Sequence, residues 1–418
     1  MNEEKSLGLE GGFQVDLRQT VYALSDALDL VGIDEVHHGK RVGYMAMLCA
    51  DKLGLDVKSI NDLFELGLLH DCGVSSSRDH QQLVDKLDWS EAQEHCRVGH
   101  DLLKNFAPLA HMAEPILYHH THWEDLKQMD LPPELCLLSN LIYLVDRVDT
   151  QSAVHHEKDV LLKINDLREF VYSKRESFFD PQLVNAFMDV SSNHAFWLGM
   201  EQRHLIHFIA DMGSQDIQTY ITLEELEQLA RIFSRIVDAK SQFTVEHSEG
   251  VAGLARYLGE IYGLSPEACE KIGAAALLHD LGKLRVPDEI LDKPGPLDKH
   301  DRAIIEQHSF ETYEILRRIP GLEEIAKWAA YHHETLHGNG YPFHPSTDEM
   351  GIEARIIAVA DIFQALAQNR PYRKSLPLEK ILEIMETFVI DGHLDSMLVN
   401  LVKQNGERCY QEATFRDQ

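Results

Sequence analysis

The sequence IGAAALLHDLGK occupies residues 272–283 and contains a histidine–aspartate pair, His279-Asp280. The seven residues before the pair are apolar and rich in alanine, which is typical of a helix that is buried on most of its faces. Short alternating segments rich in β-branched residues, the usual signal of a strand, are scarce in the rest of the chain. The sequence therefore predicts an all-α protein in which this helix is buried.

A histidine and aspartate pattern around this pair occurs twice. The second set is His247, His279, Asp280, His308, His332, His333 and Asp361, and the first set is His38, His70, Asp71, His95, His119, His120 and Asp146. In both sets, 32 residues separate the first two members and 24 residues separate the fourth from the fifth. Matched spacings of this kind predict an internal duplication.

The extent of the repeat predicts the domain organisation. The offset between the copies grows from 209 to 215 residues along the chain, so small length changes are expected in loops. We expect a first copy at 14–199, a linker at 200–221 and a second copy at 222–412, each a helical bundle. Thr222 and Glu225 have the spacing of a capping box at the start of the second copy.

Composition excludes several classes of function. The 418 residues carry a formal charge of −30, which disfavours polymeric nucleic acid as a partner because few phosphates could be neutralised. Neither a signal peptide nor an apolar run long enough for a bilayer is visible. The 6 cysteines form no CxxC pair, which favours reduced thiols and a cytoplasmic location without a membrane partner. A homodimer is a further expectation.

The repeated residues have the chemistry of a metal centre. Seven ligand-type side chains exceed what one tetrahedral ion accepts, and they suit two ions that share a bridging oxygen. Histidine and carboxylate without cysteine favour divalent iron or manganese, with zinc, nickel and cobalt as alternatives. The competing interpretation is a set of buried histidines that are satisfied by hydrogen bonds.

The second copy resembles the HD-GYP family of metal-dependent phosphohydrolases. The matching residues are His247-Ser248, His279-Asp280-Leu281-Gly282-Lys283, His308, His332-His333-Glu334, Gly338-Asn339-Gly340-Tyr341-Pro342, Asp361 and Arg370-Pro371-Tyr372-Arg373. The match covers nearly the whole second copy. It implies two tandem HD-type helical-bundle domains and the hydrolysis of bacterial cyclic dinucleotides through a metal-bridged hydroxide.

The resemblance also implies roles for single residues. His247, His279, Asp280 and Asp361 would hold one ion, and His308, His332 and His333 would hold the second, with Asp280 as the bridge. Lys283 would lie beside the bound phosphate, Arg370 and Arg373 would grip phosphates, and Gly340-Tyr341-Pro342 would shape a loop close to the ligand. A third ion in some members uses an upstream glutamate, and this chain has Phe243 at that place, so we expect two ions.

Gln364 departs from the family pattern, which has a second aspartate three residues after Asp361. Positions i and i+3 share a helical face, so Gln364 is expected near the site. An amide pairs well with adenine N6 and N7, whereas a carboxylate accepts from guanine. This change favours 3′,3′-cyclic GMP-AMP as the substrate, with cyclic di-GMP as the alternative and neutral drift at this position as the competing explanation.

The first copy keeps all seven ligand-type positions but lacks other groups. It has Val74 at the position of Lys283, no GYP segment, and His155 and Lys158 at the positions of Arg370 and Arg373. It is therefore expected to be a regulatory HD domain that can bind metal, with a hydrolase for another substrate as the alternative.

Two other functions compete with this interpretation. One is an HD phosphohydrolase that acts on nucleotides such as dNTPs, which the GYP segment disfavours. The other is a signalling adaptor that binds a cyclic dinucleotide or a protein without turnover. The intact ligand set and Lys283 disfavour the adaptor, and a turnover assay separates it from an enzyme.

Overall fold

The computed structural model describes residues 13–31, 37–85, 92–152, 159–213, 219–240, 247–369 and 374–414. Its elements in the first half are β1 (Val15–Asp16), α1 (Leu17–Asp29), α2 (His38–Leu53), α3 (Val57–Leu69), α4 (Ser77–Asp85), α5 (Ala92–Leu103), α6 (Ala113–Tyr118), α7 (Trp123–Leu126), α8 (Pro133–Ser152), α9 (Val160–Ser173), α10 (Pro181–Val190), α11 (His194–Leu198) and α12 (Gln202–Gly213). A 3₁₀ turn, Ala110–Met112, precedes α6.

The second half repeats this order. Its elements are β2 (Tyr220–Ile221), α13 (Leu223–Ala239), α14 (His247–Tyr262), α15 (Pro266–Leu278), α16 (Asp288–Leu291), α17 (Lys299–Leu316), α18 (Glu323–Ala330), α19 (Ile352–Ala367), α20 (Leu378–Ile390), α21 (Ser396–Gln404) and α22 (Gly406–Thr414). Two 3₁₀ turns, Leu281–Arg285 and Tyr331–His333, carry site residues. The predicted all-α class is confirmed.

The duplication is visible in matching helices. Helices α2 and α14 are both 16 residues long, and α3 and α15 are both 13 residues long. Asp56 caps α3 and Ser265 caps α15, each by accepting from the backbone N–H of the third helical residue. Each second helix therefore starts at a defined residue and delivers a histidine–aspartate pair at its end.

Close helix contact in the first copy depends on glycine. A Cβ on Gly67 of α3 would lie 2.4 Å from the backbone nitrogen of Gly43 in α2, so a larger residue at position 67 would push the two helices apart. In the second copy, the small residues Ala274, Ala275 and Ala276 are fully buried along α15. These contacts keep His70 and His279 close to the histidines that begin α2 and α14.

The two copies share one hydrophobic core. Helix α1 contacts α3 of its own copy, and it also contacts α17 and the turn Leu281–Arg285 of the second copy. Strands β1 and β2 pair antiparallel with Val15 opposite Ile221. The turn that carries Lys283 is thus in contact with an element of the first copy.

The segment between the copies is more ordered than the predicted linker at 200–221. Its first part forms α12, and Phe208 of this helix packs edge-on against Tyr44 and Phe64 with ring centroids 5.1 and 6.0 Å apart. Met212 near the end of this helix is buried, and residues 214–218 lie outside the described part. The predicted capping box at Thr222 and Glu225 is present.

An ion pair within the second copy also bonds to two serines of the first copy. Lys240, 4% exposed, places its ammonium 3.0 Å from a carboxylate oxygen of Asp288 and donates to the Ser77 hydroxyl at 3.1 Å. The other Asp288 oxygen accepts from the Ser76 hydroxyl at 3.1 Å. Burial lowers the pKa of Lys240, and Asp288 opposes that shift. The start of α4 is therefore tied to Asp288, which follows the turn Leu281–Arg285 of the second copy.

Asp288→Asn should destabilise the protein by about 2 kcal/mol, because it leaves the Lys240 ammonium buried without its anionic partner. Partial exposure of Asp288 keeps the expected loss below that of a fully buried pair. The free energy of unfolding in urea measures the effect, and Glu289→Gln, an exposed neighbour, is the control. An Asp288→Asn protein as stable as the Glu289→Gln protein would mean that the ion pair does not stabilise this junction.

Candidate metal centre

The second copy brings all seven predicted ligands together. His247 begins α14, and His279 and Asp280 directly follow α15. His308 lies in α17, His332 and His333 form most of the turn Tyr331–His333, and Asp361 lies in α19. Within the described residues, nitrogen and oxygen atoms of His247, His279 and Asp280 lie within 4.8 Å of one another, as do those of His308, His332 and His333.

Asp280 lies between these two histidine groups. One of its oxygens, Oδ2, is 3.3 Å from His279 Nε2 and 3.7 Å from His247 Nε2. The other, Oδ1, is 3.4 Å from His308 Nε2 and 3.8 Å from His332 Nε2. One carboxylate thus faces two separate sets of nitrogen donors, which is the arrangement that a bridging ligand needs.

Hydrogen bonds on the far side of the rings orient four of the histidines. The Nδ1 atoms of His279, His308 and His332 donate at 2.6 Å to the backbone carbonyls of Ala276, Ile305 and Ala329. His247 Nδ1 donates at 2.6 Å to the side-chain oxygen of Gln364. Each Nε2 lone pair is therefore directed inward, as in metal sites where an outer partner fixes the tautomer.

Electrostatics favour the protonation states that ligands require at His308, His333 and Asp280. Burial lowers the pKa of His308 to about 3 and that of His333 to about 4, so both rings are neutral near pH 7. Burial raises the pKa of Asp280, but His279 and Lys283 outweigh it and hold that pKa well below its usual range. Neutral imidazole and ionised carboxylate are the forms that bind metal ions.

Two buried polar atoms support the fit of a cation. His279 Nε2 and Asp280 Oδ1 are shielded from solvent and have no hydrogen-bond partner among the described residues. An unsatisfied buried polar atom is costly. A cation bound between the histidines and Asp280 would satisfy both atoms, so the residues present fit a metal centre.

Lys283 lies at the open side of Asp280. Its ammonium donates to Asp280 Oδ2 at 2.5 Å, and its side chain is 24% exposed. The short turn Leu281–Arg285 places this lysine three residues after the aspartate, where the backbone N–H of Lys283 bonds the Asp280 carbonyl. A mobile cation is thus held beside the ligands and remains accessible to an anion.

The GYP segment packs against the histidine pair. The Tyr341 ring lies 4.9 Å from the His333 ring, and a Cβ on Gly340 would lie 2.4 Å from the His333 carbonyl oxygen. Glu334, 2% exposed, accepts from the backbone N–H groups of Phe343 and His344 at 2.6 and 3.0 Å. Glu334 therefore ties the loop to the histidine turn, a role that the motif itself did not reveal.

Four further predictions concern Arg370, Arg373, Phe243 and Gln364. Arg370, Arg373 and Phe243 lie outside the described residues. Gln364 does share a helical face with Asp361, but it is 3% exposed and its oxygen is bonded to the outer nitrogen of His247. The structure thus places the amide against His247, and a contact between Gln364 and a base of the substrate stays a prediction.

The first copy has the same geometry around Asp71. Its Oδ2 lies 3.4 Å from His70 Nε2 and 3.8 Å from His38 Nε2, and its Oδ1 lies 3.3 Å from His95 Nε2 and 3.7 Å from His119 Nε2. His120 and Asp146 complete the set, with His120 Nε2 3.9 Å from Asp146 Oδ2. All seven ligand-type residues of the first copy are thus brought together as well.

The cation beside the first site differs from Lys283. Arg147 donates to Asp146 Oδ2 at 2.8 and 3.0 Å and to the backbone carbonyl of Leu83 at 2.9 Å, and it is 3% exposed. The second copy has Ile362 at this position. A buried guanidinium held from two sides cannot move to a substrate phosphate as an exposed lysine can.

The space beside the first site is small. The cavity next to His38, His70 and Asp71 measures about 20 Å³, with Val74 and His80 in its wall. This volume accommodates roughly one water molecule, so in the described part of the first copy the cavity is far too small for a dinucleotide.

Comparisons with known proteins agree with the duplication. The HD domain family matches residues 36–151, and a second HD domain model matches residues 231–398. The two matched regions enclose the first and second ligand sets. The chain thus carries two HD domains, one in each copy.

A relative with an assigned activity matches along nearly the whole chain. The chain is 36% identical to the 3′3′-cGAMP-specific phosphodiesterase 1 of Vibrio cholerae, over 97% of this chain and 95% of that protein. It is 36% identical to a cyclic di-GMP phosphodiesterase of Thermotoga maritima, over 39% of this chain and 45% of that protein. The similarity to the first protein therefore includes both copies.

A solved structure has the same fold. The crystal structure of a cyclic GMP-AMP-specific phosphodiesterase of V. cholerae superposes with a TM-score of 0.64 and 25% identity, covering 97% of this chain and 99% of that chain. None of the described helices is both long and apolar enough to cross a membrane.

Proposed function

Because this chain belongs to the HD-GYP-type cyclic-dinucleotide phosphodiesterases, we propose that its second copy is the catalytic domain and that 3′,3′-cyclic GMP-AMP is its substrate. The protein is a metal-dependent phosphodiesterase that hydrolyses a cyclic dinucleotide. The position of Asp280 between two histidine groups is the observation that supports the site assignment.

The proposed assignments follow the ligand geometry. His247, His279, Asp280 and Asp361 would hold one ion, and His308, His332 and His333 would hold a second one, with Asp280 contributing to both. Two such ions supply Lewis acidity and an activated water when bound. Iron or manganese is proposed because every donor is an imidazole or a carboxylate.

The protein side chains provide binding and charge compensation. Lys283 balances negative charge on the phosphoryl oxygens, and the Gly340-Tyr341-Pro342 loop forms one wall beside His333. Arg370 and Arg373 remain the predicted phosphate-binding residues. These roles explain why the buried metal ligands lie next to one exposed lysine and a loop with an aromatic ring.

The proposed substrate depends on the relatives. The match to the 3′3′-cGAMP-specific phosphodiesterase 1 extends over nearly the whole chain, whereas the cyclic di-GMP phosphodiesterase of T. maritima matches less than half of it. A panel of 3′,3′-cyclic GMP-AMP, cyclic di-GMP and cyclic di-AMP with Mn²⁺ or Fe²⁺ tests the proposal. The highest kcat/KM is expected with cyclic GMP-AMP, and faster cleavage of cyclic di-GMP would refute the substrate assignment.

The domain and cellular assignments are also proposals. We place the copies at 14–199 and 222–412, with the first as a regulatory HD domain that binds metal through its seven ligand-type residues. The 6 free cysteines are all buried, which supports a cytoplasmic location. A homodimer is proposed as well, and sedimentation of the purified protein tests it.

His70→Ala with Asp71→Ala should leave hydrolysis intact. These side chains belong to the site with Val74 in place of a lysine and a cavity of about 20 Å³, so they are not expected to touch substrate. We expect kcat/KM to fall by less than about tenfold, the size of ordinary coupling between sites. Complete loss of turnover, with the metal content of the second copy unchanged, would contradict the assignment of catalysis to that copy.

A further inference from the structure

The position of the Gln364 side chain is not explained by a need for a polar residue near the metal ligands. Its side chain is buried, and its Oε1 accepts from His247 Nδ1 at 2.6 Å. The other three oriented histidines of the second copy donate to backbone carbonyls. All four rings therefore donate to an uncharged amide oxygen.

In the first copy, the corresponding histidine, His38, donates to a charged side chain. Asp149, three residues after Asp146, accepts from His38 Nδ1 at 2.8 Å. Arg41 donates to both oxygens of Asp149, at 2.7 and 2.8 Å. The carboxylate is fully buried, so the guanidinium is needed to balance its charge.

The second copy has changed both members of this ion pair. Gln364 occupies the position of Asp149, and Gly250 occupies the position of Arg41. A Cβ on Gly250 would lie 2.9 Å from Gln364 Cγ and 2.4 Å from the backbone oxygen of Ala413. An arginine therefore has no room at position 250, and an unpaired carboxylate at 364 would lack its partner. Gln364 and Gly250 together replace the charged pair of Asp149 and Arg41 by uncharged residues.

We propose that Gln364 is a positioning residue that fixes the tautomer and orientation of His247 without adding charge. The inference rests on the proposed metal site, because it gives His247 Nε2 its direction toward Asp280 and Asp361, at 3.7 and 3.3 Å. Removing an outer hydrogen-bond partner of a ligating histidine typically lowers metal affinity about 10- to 100-fold. The same range is expected here.

The test compares Gln364→Met with Gln364→Glu in the full chain. Methionine keeps the length of glutamine and removes the acceptor, whereas glutamate keeps an acceptor oxygen at the same distance. Both are made in the His70→Ala, Asp71→Ala background, so that bound Mn²⁺ reports the second copy. Mn²⁺ affinity is measured by competition with a chelator, and metal content by elemental analysis.

Gln364→Met should bind Mn²⁺ about 10- to 100-fold more weakly, and excess Mn²⁺ should restore its turnover. Gln364→Glu should recover most of the affinity for Mn²⁺, with a lower melting temperature than Gln364→Met because its carboxylate is buried without a cationic partner. The ratio of activities on cyclic GMP-AMP and cyclic di-GMP should be unchanged in both, since the amide is bonded to His247. The control is Gln368→Met, one turn after Gln364 at the end of α19. It should bind Mn²⁺ like the protein that carries only His70→Ala and Asp71→Ala.

Three results would overturn the inference. The first is unchanged Mn²⁺ affinity in Gln364→Met. The second is an equal loss of affinity in the methionine and glutamate variants together with an equal drop in melting temperature, which would indicate a packing role. The third is a changed nucleotide ratio without a change in affinity. If Gln364→Met does not fold, Gln364→Leu replaces it. A parent protein that binds no Mn²⁺ would instead refute the proposed metal site.

Discussion

Replacing His279 and Asp280 together by alanine should reduce turnover of the cyclic dinucleotide on the order of 10⁴-fold or more. The reason is the position of Asp280, whose two oxygens face different histidine groups. The double substitution removes donors from both proposed ion positions at once. It also removes Asp280 as the acceptor of the Lys283 ammonium, so the lysine is no longer held beside the histidines.

Metal content and fold must be measured alongside turnover. Elemental analysis should show loss of ions from the second copy, while far-UV circular dichroism should retain the helical signal. The matched control is the same double substitution at His70 and Asp71 of the first copy, which should keep hydrolysis. Activity at the wild-type level in the His279→Ala, Asp280→Ala protein would end the assignment of catalysis to this site and would require a catalytic site elsewhere in the chain.

The ligand positions could be predicted because duplication constrains them twice. Matched spacings in two copies of the chain left few alternatives to a shared site, and a buried alanine-rich run before His279-Asp280 indicated a central helix. The structure brings all these residues together. The repeated spacing of the ligand residues predicted the site, whereas helix propensity contributed little to that prediction.

Gln364 shows where this kind of reasoning stops. Helical spacing places residues i and i+3 on one face, but that face contacts both the ligand side and the neighbouring helix. Whether the amide meets a substrate or His247 depends on the space that Gly250 leaves in α14, more than a hundred residues away in the chain. The distinction depends on packing between helices, which the local pattern does not contain.

Two further features were hidden for similar reasons. Arg147 directly follows Asp146, and adjacent residues on a helix normally point about 100° apart, yet its long side chain returns to the carboxylate of its neighbour. Glu334 belongs to the recognised motif, but its bonds to the amides of Phe343 and His344 depend on the loop conformation. Long side chains and loops therefore limited the sequence-based description of the site.

The contrast between the copies clarifies what separates a metal site from a hydrolase. Both place a cation against a ligand carboxylate, Arg147 on Asp146 in the first copy and Lys283 on Asp280 in the second. The arginine is buried and also bonded to a backbone carbonyl, whereas the lysine is partly exposed. Negative charge that develops on a phosphoryl group is stabilised by a donor that can reach it. Of these two cations, only Lys283 meets this requirement.

Lys283→Met should therefore lower kcat by about 10²- to 10³-fold, the usual cost of removing one charge-stabilising donor. Methionine preserves length and apolar contact, and the histidine ligands stay in place, so metal content should match that of the wild type. The control is Lys293→Met, which removes a partly exposed lysine paired with Asp301 at the start of α17, and it should keep full activity. Steady-state kinetics with saturating Mn²⁺ separates kcat from KM. A fall in metal content equal to the fall in kcat would show that Lys283 maintains the ligand set, and an unchanged kcat would show that the phosphate is neutralised elsewhere, with Arg370 and Arg373 as the next residues to replace.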